Sequence, residues 1–210
     1  MNNIMPKIIN WVRTHKNAAI TIAFIAVLAI GLGIAMASQL KEARTKAWEQ
    51  LAIGQYLAMN GKTGEAHDVL RSLASGSRAD VADFAAVYNA SVHAREGNWQ
   101  AAAESFKQVM DGNRAPKLQA IAGIGYAKML EALGRFDEAQ AGYTANLDRY
   151  PDHFTAPEAY EGLARIYSMK GQGDLATQNL ERLKVLYPET GWGKRAEARL
   201  KGTATNKQVQ

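Results

Sequence analysis

A glycine followed five residues later by an alanine recurs four times in this chain of 210 residues. The glycines are spaced 36, 37 and 37 residues apart, and the pairs are Gly61 and Ala66, Gly97 and Ala102, Gly134 and Ala139, and Gly171 and Ala176. A period in the thirties is typical of stacked helical repeats, in which each helix pair buries its apolar face only against its neighbours. The chain is therefore predicted to be all-α.

The residues around each pair predict where the helices lie. Each glycine follows a helical run, and we expect it to adopt the left-handed conformation that closes a helix. Each alanine, and a small residue seven positions before each glycine, indicate a close helix crossing, and a large residue four positions after each alanine should be a core contact. The small residues are Gly54, Ala90, Ala127 and Ala164, and the large ones are Leu70, Phe106, Tyr143 and Leu180.

These positions resemble the tetratricopeptide repeat, a helix–turn–helix module of about 34 residues. The third unit matches through Tyr126, Ala127, Leu130, Gly134, Phe136, Asp137, Glu138, Ala139, Tyr143, Leu147 and Pro151, and the fourth through Tyr160, Leu163, Ala164, Tyr167, Gly171, Ala176 and Pro188. Asn146 replaces a usual alanine, and Asn89 and His93 replace large apolar residues. The resemblance implies an α-solenoid domain over residues 39–201, with helix hairpins at about 47–80, 83–116, 120–153 and 157–190, and a C-terminal capping helix at 191–201.

An uncharged, mostly apolar stretch precedes the repeats, from Asn17 through Leu40. A helix of this length spans the roughly 30 Å hydrocarbon core of a bilayer. We therefore predict a basic tail over residues 1–17 and an N-terminal transmembrane helix over 18–38. The small residues Ala35 and Ala37 also match a signal-peptidase site, so cleavage after Ala37 remains an alternative. The polar residues 202–210 lack periodicity and are predicted to be disordered.

The basic residues around this span do not decide its orientation. The three that precede it are Lys7, Arg13 and Lys16, and the three that follow it closely are Lys41, Arg44 and Lys46. The numbers of basic residues on the two sides are equal, so the positive-inside rule favours neither orientation. An ordinary signal-anchor arrangement places a short tail inside and the repeats outside. In a bacterium this predicts a single-pass inner-membrane protein with a periplasmic repeat domain.

Composition and motifs exclude several classes of function. Without cysteine the chain has no disulfide and no cysteine nucleophile. The net charge of +5 becomes +2 after residue 40, with 22 basic and 20 acidic residues, which argues against nucleic-acid binding. The four histidines are not spaced like the ligands of a metal site; they are His15, His67, His93 and His153. The sequence also contains no catalytic or phosphate-binding motif. We expect no enzyme activity, no metal or other cofactor, and no small-molecule substrate.

Tetratricopeptide arrays present the first helix of each unit along a concave groove that receives a protein partner. Carried over by repeat phase, the groove comprises Trp48, Leu51, Gln55, Met59, Phe84, Val87, Ser91, Arg95, Ile121, Ile124, Lys128, Glu161 and Arg165. Its early half is apolar and its later half charged, which suits an amphipathic or unfolded segment. The alternative that some of these, above all Trp48 and Ile124, are core residues remains open. Leu51 and Gln55 stand where a chaperone-tail clamp needs lysine or asparagine, so that activity is not predicted.

The whole-chain plan of tail, span and repeats is similar to the bacterial ancillary SecYEG translocon subunit family. This architectural resemblance implies a membrane-anchored interaction scaffold of the cell envelope, chaperone-like and near secretion or assembly machinery. The fourth unit and its tail, from Tyr187 through Leu200, also resemble repeats of outer-membrane assembly and Tol-associated proteins. The alternative is an obligate structural subunit of a larger membrane complex.

Overall fold

The computed structural model describes residues 10–76, 79–112 and 116–208, and this part of the chain contains helices and no strand. The chain forms two compact units, Met1–Ala47 and Trp48–Gln210. A short helical segment, α1, covers residues 10–14. The long helix α2, Lys16–Met59, begins in the first unit and ends in the second.

The first of these two compact units consists mainly of the apolar part of α2. By length and composition this helix is able to cross a membrane, although an N-terminal signal sequence would meet the same criteria. Its large apolar side chains are exposed, among them Phe24, Leu28 and Leu32. The predicted span 18–38 lies inside α2, and residues 1–9 of the predicted basic tail lie outside the described residues.

The second unit continues with eight helices in antiparallel pairs. They are α3 (Thr63–Gly76), α4 (Ala79–Arg95), α5 (Trp99–Asp111), α6 (Pro116–Ala132), α7 (Phe136–Arg149), α8 (Ala156–Met169), α9 (Gly173–Leu186) and α10 (Gly191–Gln208). The end of α2 pairs with α3, α4 with α5, α6 with α7 and α8 with α9, and α10 packs on α9. The predicted α-solenoid of four hairpins and a C-terminal cap is confirmed.

The four repeat glycines close the first helix of each hairpin, as expected. Their φ angles are +76° at Gly61, +78° at Gly97, +74° at Gly134 and +72° at Gly171, and no other described residue has a positive φ. The residue after each glycine donates its N–H to a carbonyl five residues earlier, for example Arg135 to Leu130 at 2.9 Å. This bond satisfies a carbonyl that the helix end would otherwise leave without a partner.

The residues predicted to build the core are buried. All four large positions are at most 6% exposed. Tyr143 of α7 lies among apolar residues of α6 and α8, so its cluster joins the third hairpin to the fourth. The tight fit is visible at Gly162 of α8, where an added Cβ would lie 2.5 Å from the Tyr143 ring. Gly125 of α6 has the same relation to Phe106 of α5, at 2.6 Å.

Some boundaries differ from those predicted. No helix break separates the predicted span from the first repeat, because residues 39–53 contain no glycine or proline and Glu42 pairs with Lys46 one turn later at 2.8 Å. At the other end α10 continues to Gln208, so the described part of the predicted disordered tail is helical. The only glycine in the segment 202–210 is Gly202, and one glycine destabilises a helix by only about 1 kcal/mol. The first helices of units two to four begin at 79, 116 and 156, somewhat before the predicted starts.

Candidate protein-binding surface

The packing of the helices gives the repeat unit its curvature. The first helices contact one another along the array, with α4 on α6, α6 on α8 and α8 on α10. Among the described residues, no second helix makes the equivalent contact with the second helix of the next unit. Because the first helices lie closer together than the second helices, their outer side is concave. We call this side, from Trp48 of α2 to Arg195 of α10, the concave face.

The early half of the concave face carries an exposed aromatic pair. The ring centroids of Trp48 on α2 and Phe84 on α4 lie 5.5 Å apart, tilted by 54°. Both are large apolar side chains with much of their surface in contact with solvent, 37% for Trp48 and 43% for Phe84. Tilted aromatic pairs at this distance attract each other and present a rigid apolar surface. These two predicted groove residues are therefore brought together.

Four further predicted residues lie on α4 and α6. Val87 of α4 and Ile121 of α6 are half-buried and pack against the core between units two and three. Ser91 Oγ donates to the Val87 carbonyl at 2.9 Å. The Arg95 guanidinium lies 6.0 Å from the centroid of the Tyr88 ring. The early half is thus mainly apolar, with one cation at its edge.

The remaining early residues are placed differently. Leu51 and Ile124 are only 3% exposed, so both are core residues and a partner cannot reach them; for Ile124 this is the alternative left open by the sequence. Gln55 is half-buried, and Met59 at the end of α2 is 76% exposed.

The later half of the concave face is a ladder of ion pairs between successive first helices. Lys128 Nζ lies 3.0 Å from Glu158 Oε2, joining α6 to α8. Arg195 Nε lies 3.3 Å from Glu161 Oε1, joining α10 to α8. The predicted groove charges Lys128 and Glu161 thus have intramolecular partners. Pairs this exposed contribute little to stability individually.

A third, less exposed pair connects the ladder to the core. Arg165 of α8 donates to both carboxylate oxygens of Glu131 on α6, with Nη2 to Oε2 at 2.8 Å. The Tyr143 hydroxyl donates to the same Oε2 at 3.0 Å. The hydrogen bond to Glu131 raises the pKa of Arg165, and burial, then the Glu131 charge, raises the pKa of Tyr143. Arg165 therefore stays charged and Tyr143 neutral across the physiological pH range, which fixes this part of the face.

The structure also shows a pocket that the sequence did not suggest. It measures about 410 Å³ and lies between α5 and α7, above α6, on the side away from the concave face. Gly123, Gly142, Ala145 and Asn146 are among the residues that line it. Asn146 Nδ2 donates to the Ala120 carbonyl at 2.9 Å, which explains why asparagine replaces the usual alanine there. That departure from the repeat pattern was the only available signal.

Sequence comparisons do not assign the chain to a family. No family model matches it, and no curated protein matches it.

Solved structures share the fold. A putative kinesin light chain with TPR-like repeats from Podosopora anserina is 18% identical, with a TM-score of 0.61 over 78% of this chain and 88% of that one. BtubC (BKLC) from P. vanneervenii is 17% identical, with a TM-score of 0.63 over 76% of each chain. A tetratricopeptide repeat protein from Parabacteroides merdae is 17% identical, with a TM-score of 0.60 over 76% of this chain and 60% of that one. At such identities the likeness concerns fold alone: the repeat unit is a tetratricopeptide-like α-solenoid.

Proposed function

We propose that this chain is a membrane-anchored scaffold that binds a protein partner on its concave face. The observation that carries the proposal is the exposed Trp48 and Phe84 pair at the early end of that face. Large aromatic side chains dominate the energetics of many protein interfaces, because they bury much area at little entropic cost. The described residues offer no comparable aromatic pair on the other first helices.

The chemistry of the face favours an amphipathic or unfolded segment as the partner. Its early half is apolar, so the matching part of the partner should carry apolar side chains at helical spacing. In the later half, the Lys128–Glu158 and Arg195–Glu161 pairs already balance one another's charges. The partner therefore gains little from net charge, and binding should depend mainly on the apolar half.

The location we propose is the bacterial inner membrane, with α2 as a single span and the repeat unit in the periplasm. The length, composition and exposed apolar surface of α2 support an anchor. A chaperone-like role near secretion or assembly machinery is consistent with an apolar concave face on a tethered domain. The similarity to the ancillary translocon subunit family stays a prediction.

A single charge on the aromatic pair tests partner binding. We expect Phe84→Glu to weaken partner retention by about 30-fold or more, the effect of losing a hot-spot residue worth about 2 kcal/mol. Phe84 is partly exposed, so the repeat unit should still fold, whereas a charge at buried Leu51 would unfold it. The measurement is purification of the full-length protein in mild detergent, with quantitative mass spectrometry of the proteins that stay bound.

Phe154→Glu is the matched control. Phe154 is 72% exposed, lies in the loop between α7 and α8 and is not one of the predicted groove residues, so this variant should retain partners at the wild-type level. Equal retention by Phe84→Glu and the wild type would exclude the concave face as the binding site. A partner that stays bound in fixed stoichiometry through repeated washing would instead favour the obligate structural subunit.

A reporter fusion tests the orientation. We expect a periplasm-active reporter fused after Gln210 to be active in a bacterial host, because a short N-terminal tail usually stays inside. A cytoplasm-active reporter at the same position is the control and should be silent. The opposite pattern would place the repeat unit in the cytoplasm.

A further inference from the structure

Three side chains with metal-binding groups meet where the first hairpin packs on the second. They are His67 on α3, His93 on α4 and Glu96 in the turn after α4. One nitrogen or oxygen of each lies within 4.8 Å of the corresponding atoms of the other two. His67 precedes His93 by 26 residues in the sequence, so the packing of α3 on α4 brings them together.

The hydrogen bonds of His67 orient its ring toward Glu96. His67 Nδ1 lies 2.6 Å from Asn89 Oδ1, and His67 Nε2 lies 2.9 Å from Glu96 Oε2. An amide oxygen accepts a hydrogen bond, so Nδ1 is the protonated nitrogen when the ring is neutral, and Nε2 then turns a lone pair toward the carboxylate. Two lone pairs at this distance repel each other unless a cation, either a proton or a metal ion, lies between them.

His93 supplies a third donor atom to the same point. Its Nδ1 lies 3.8 Å from Glu96 Oε2 and is buried without a hydrogen-bond partner among the described residues. A buried ring nitrogen without a hydrogen-bond partner is available to a metal ion.

We propose that His67 Nε2, His93 Nδ1 and the Glu96 carboxylate bind a divalent zinc ion, with the fourth position open to water. Two imidazoles and one carboxylate form a donor set that Zn²⁺ prefers, and Asn89 is the outer partner that such a histidine ligand needs. With bonds of about 2.0–2.1 Å, donors in a tetrahedral zinc site lie about 3.3 Å apart. The observed 2.9 and 3.8 Å lie on either side of that value.

Binding requires one local movement. The two imidazole rings are stacked, with centroids 3.9 Å apart and planes inclined by 21°. An imidazole nitrogen binds an ion that lies in the plane of its ring. Because stacked rings have nearly parallel planes, one ion cannot lie in both planes, and the His93 ring must turn as the ion enters. The ion would then tie α3 to α4, joining the unit that carries Trp48 to the unit that carries Phe84. The proposal does not depend on the proposed function.

Metal analysis of the full-length protein tests the site. The protein is purified in detergent with a histidine-free tag, stripped of metal, dialysed against Zn²⁺ at neutral pH and analysed for bound zinc. We expect about one zinc per chain. Glu96→Gln keeps the side chain's shape but removes the anion, and should weaken zinc binding beyond the 10–100-fold typical of losing an outer-shell partner. His93→Gln should do the same.

His153→Ala is the matched control, because His153 bonds to Thr155 in a loop of another unit, and it should bind zinc like the wild type. Zinc should also raise the thermal unfolding temperature of the wild type but not that of Glu96→Gln, since only a bound ion stabilises the fold. Two results would overturn the proposal: no zinc bound by the wild type at micromolar Zn²⁺, or equal binding by the wild type and Glu96→Gln. In either case a proton, and not a metal ion, bridges His67 and Glu96.

Discussion

Truncating Tyr143 to alanine should lower the free energy of unfolding of the repeat unit by about 3–5 kcal/mol, the usual cost of removing a buried aromatic ring. The side chain is fully buried. Its cluster contains residues of α6, α7 and α8, so the cavity would open between two hairpins and not inside one. In a solenoid, contacts between neighbouring repeats carry much of the stability, and no other element can close that gap.

Chemical denaturation of the full-length protein, followed by circular dichroism, measures this loss. Tyr143→Phe keeps the ring and removes only the hydroxyl that donates to Glu131, so it should cost about 1.5–3 kcal/mol, the range for a hydrogen bond to a charged group. Phe154→Ala, at an exposed aromatic, should change little. If the free energy of unfolding of Tyr143→Ala lies within 1 kcal/mol of the wild-type value, the third and fourth hairpins do not depend on this ring.

The scaffold was predictable because its requirements are local and repeat. A left-handed glycine, a small residue at a helix crossing and a large core residue recur at fixed offsets, so four copies confirm one another. The φ angles at Gly61, Gly97, Gly134 and Gly171 confirm the first requirement directly. The burial of the large residues confirms the last; they are Leu70, Phe106, Tyr143 and Leu180.

The candidate surface was less predictable, because repeat phase gives a helix face only approximately. Adjacent residues on a helix point about 100° apart, so a small rotation decides which reach solvent. Leu51 and Trp48 are three residues apart and repeat phase predicts the same groove for both, yet Leu51 is buried and Trp48 is partly exposed. That rotation depends on the neighbouring helices, which one repeat's sequence does not specify.

Departures from the repeat pattern are visible in the sequence, but the partners of those residues are not. Asn89 and His93 replace large apolar residues, and in the structure both lie beside His67 of the preceding hairpin. Asn146 replaces an alanine and bonds to the backbone of α6. In each case a substitution in one hairpin is satisfied by a group from another element. Sequence alone shows the departure, whereas the stacking of helices is needed to find the partner.

Replacing Gly162 with alanine should destabilise the repeat unit by about 3 kcal/mol, the upper end of the usual cost of overpacking. The new methyl group would lie 2.5 Å from two atoms of the Tyr143 ring. The ring is fully buried and held by its bond to Glu131, so it cannot turn away. Either α8 must move off α7 or the ring must leave its rotamer. Gly64→Ala is the control, because a Cβ at Gly64 in α3 meets nothing within 4 Å.

A double-mutant cycle separates this contact from an effect of glycine on the α8 backbone. In Tyr143→Ala the ring is gone and the methyl group of Gly162→Ala enters the space it leaves, so the second substitution should cost little or even stabilise. The coupling energy between the two sites should then be about 2–3 kcal/mol, at the upper end for residues in direct contact. Additive costs would mean that Gly162 is needed by the backbone and not by the ring. Strong coupling would show that the large residue of one hairpin and the glycine of the next act as one unit, the physical link by which successive repeats are held in register.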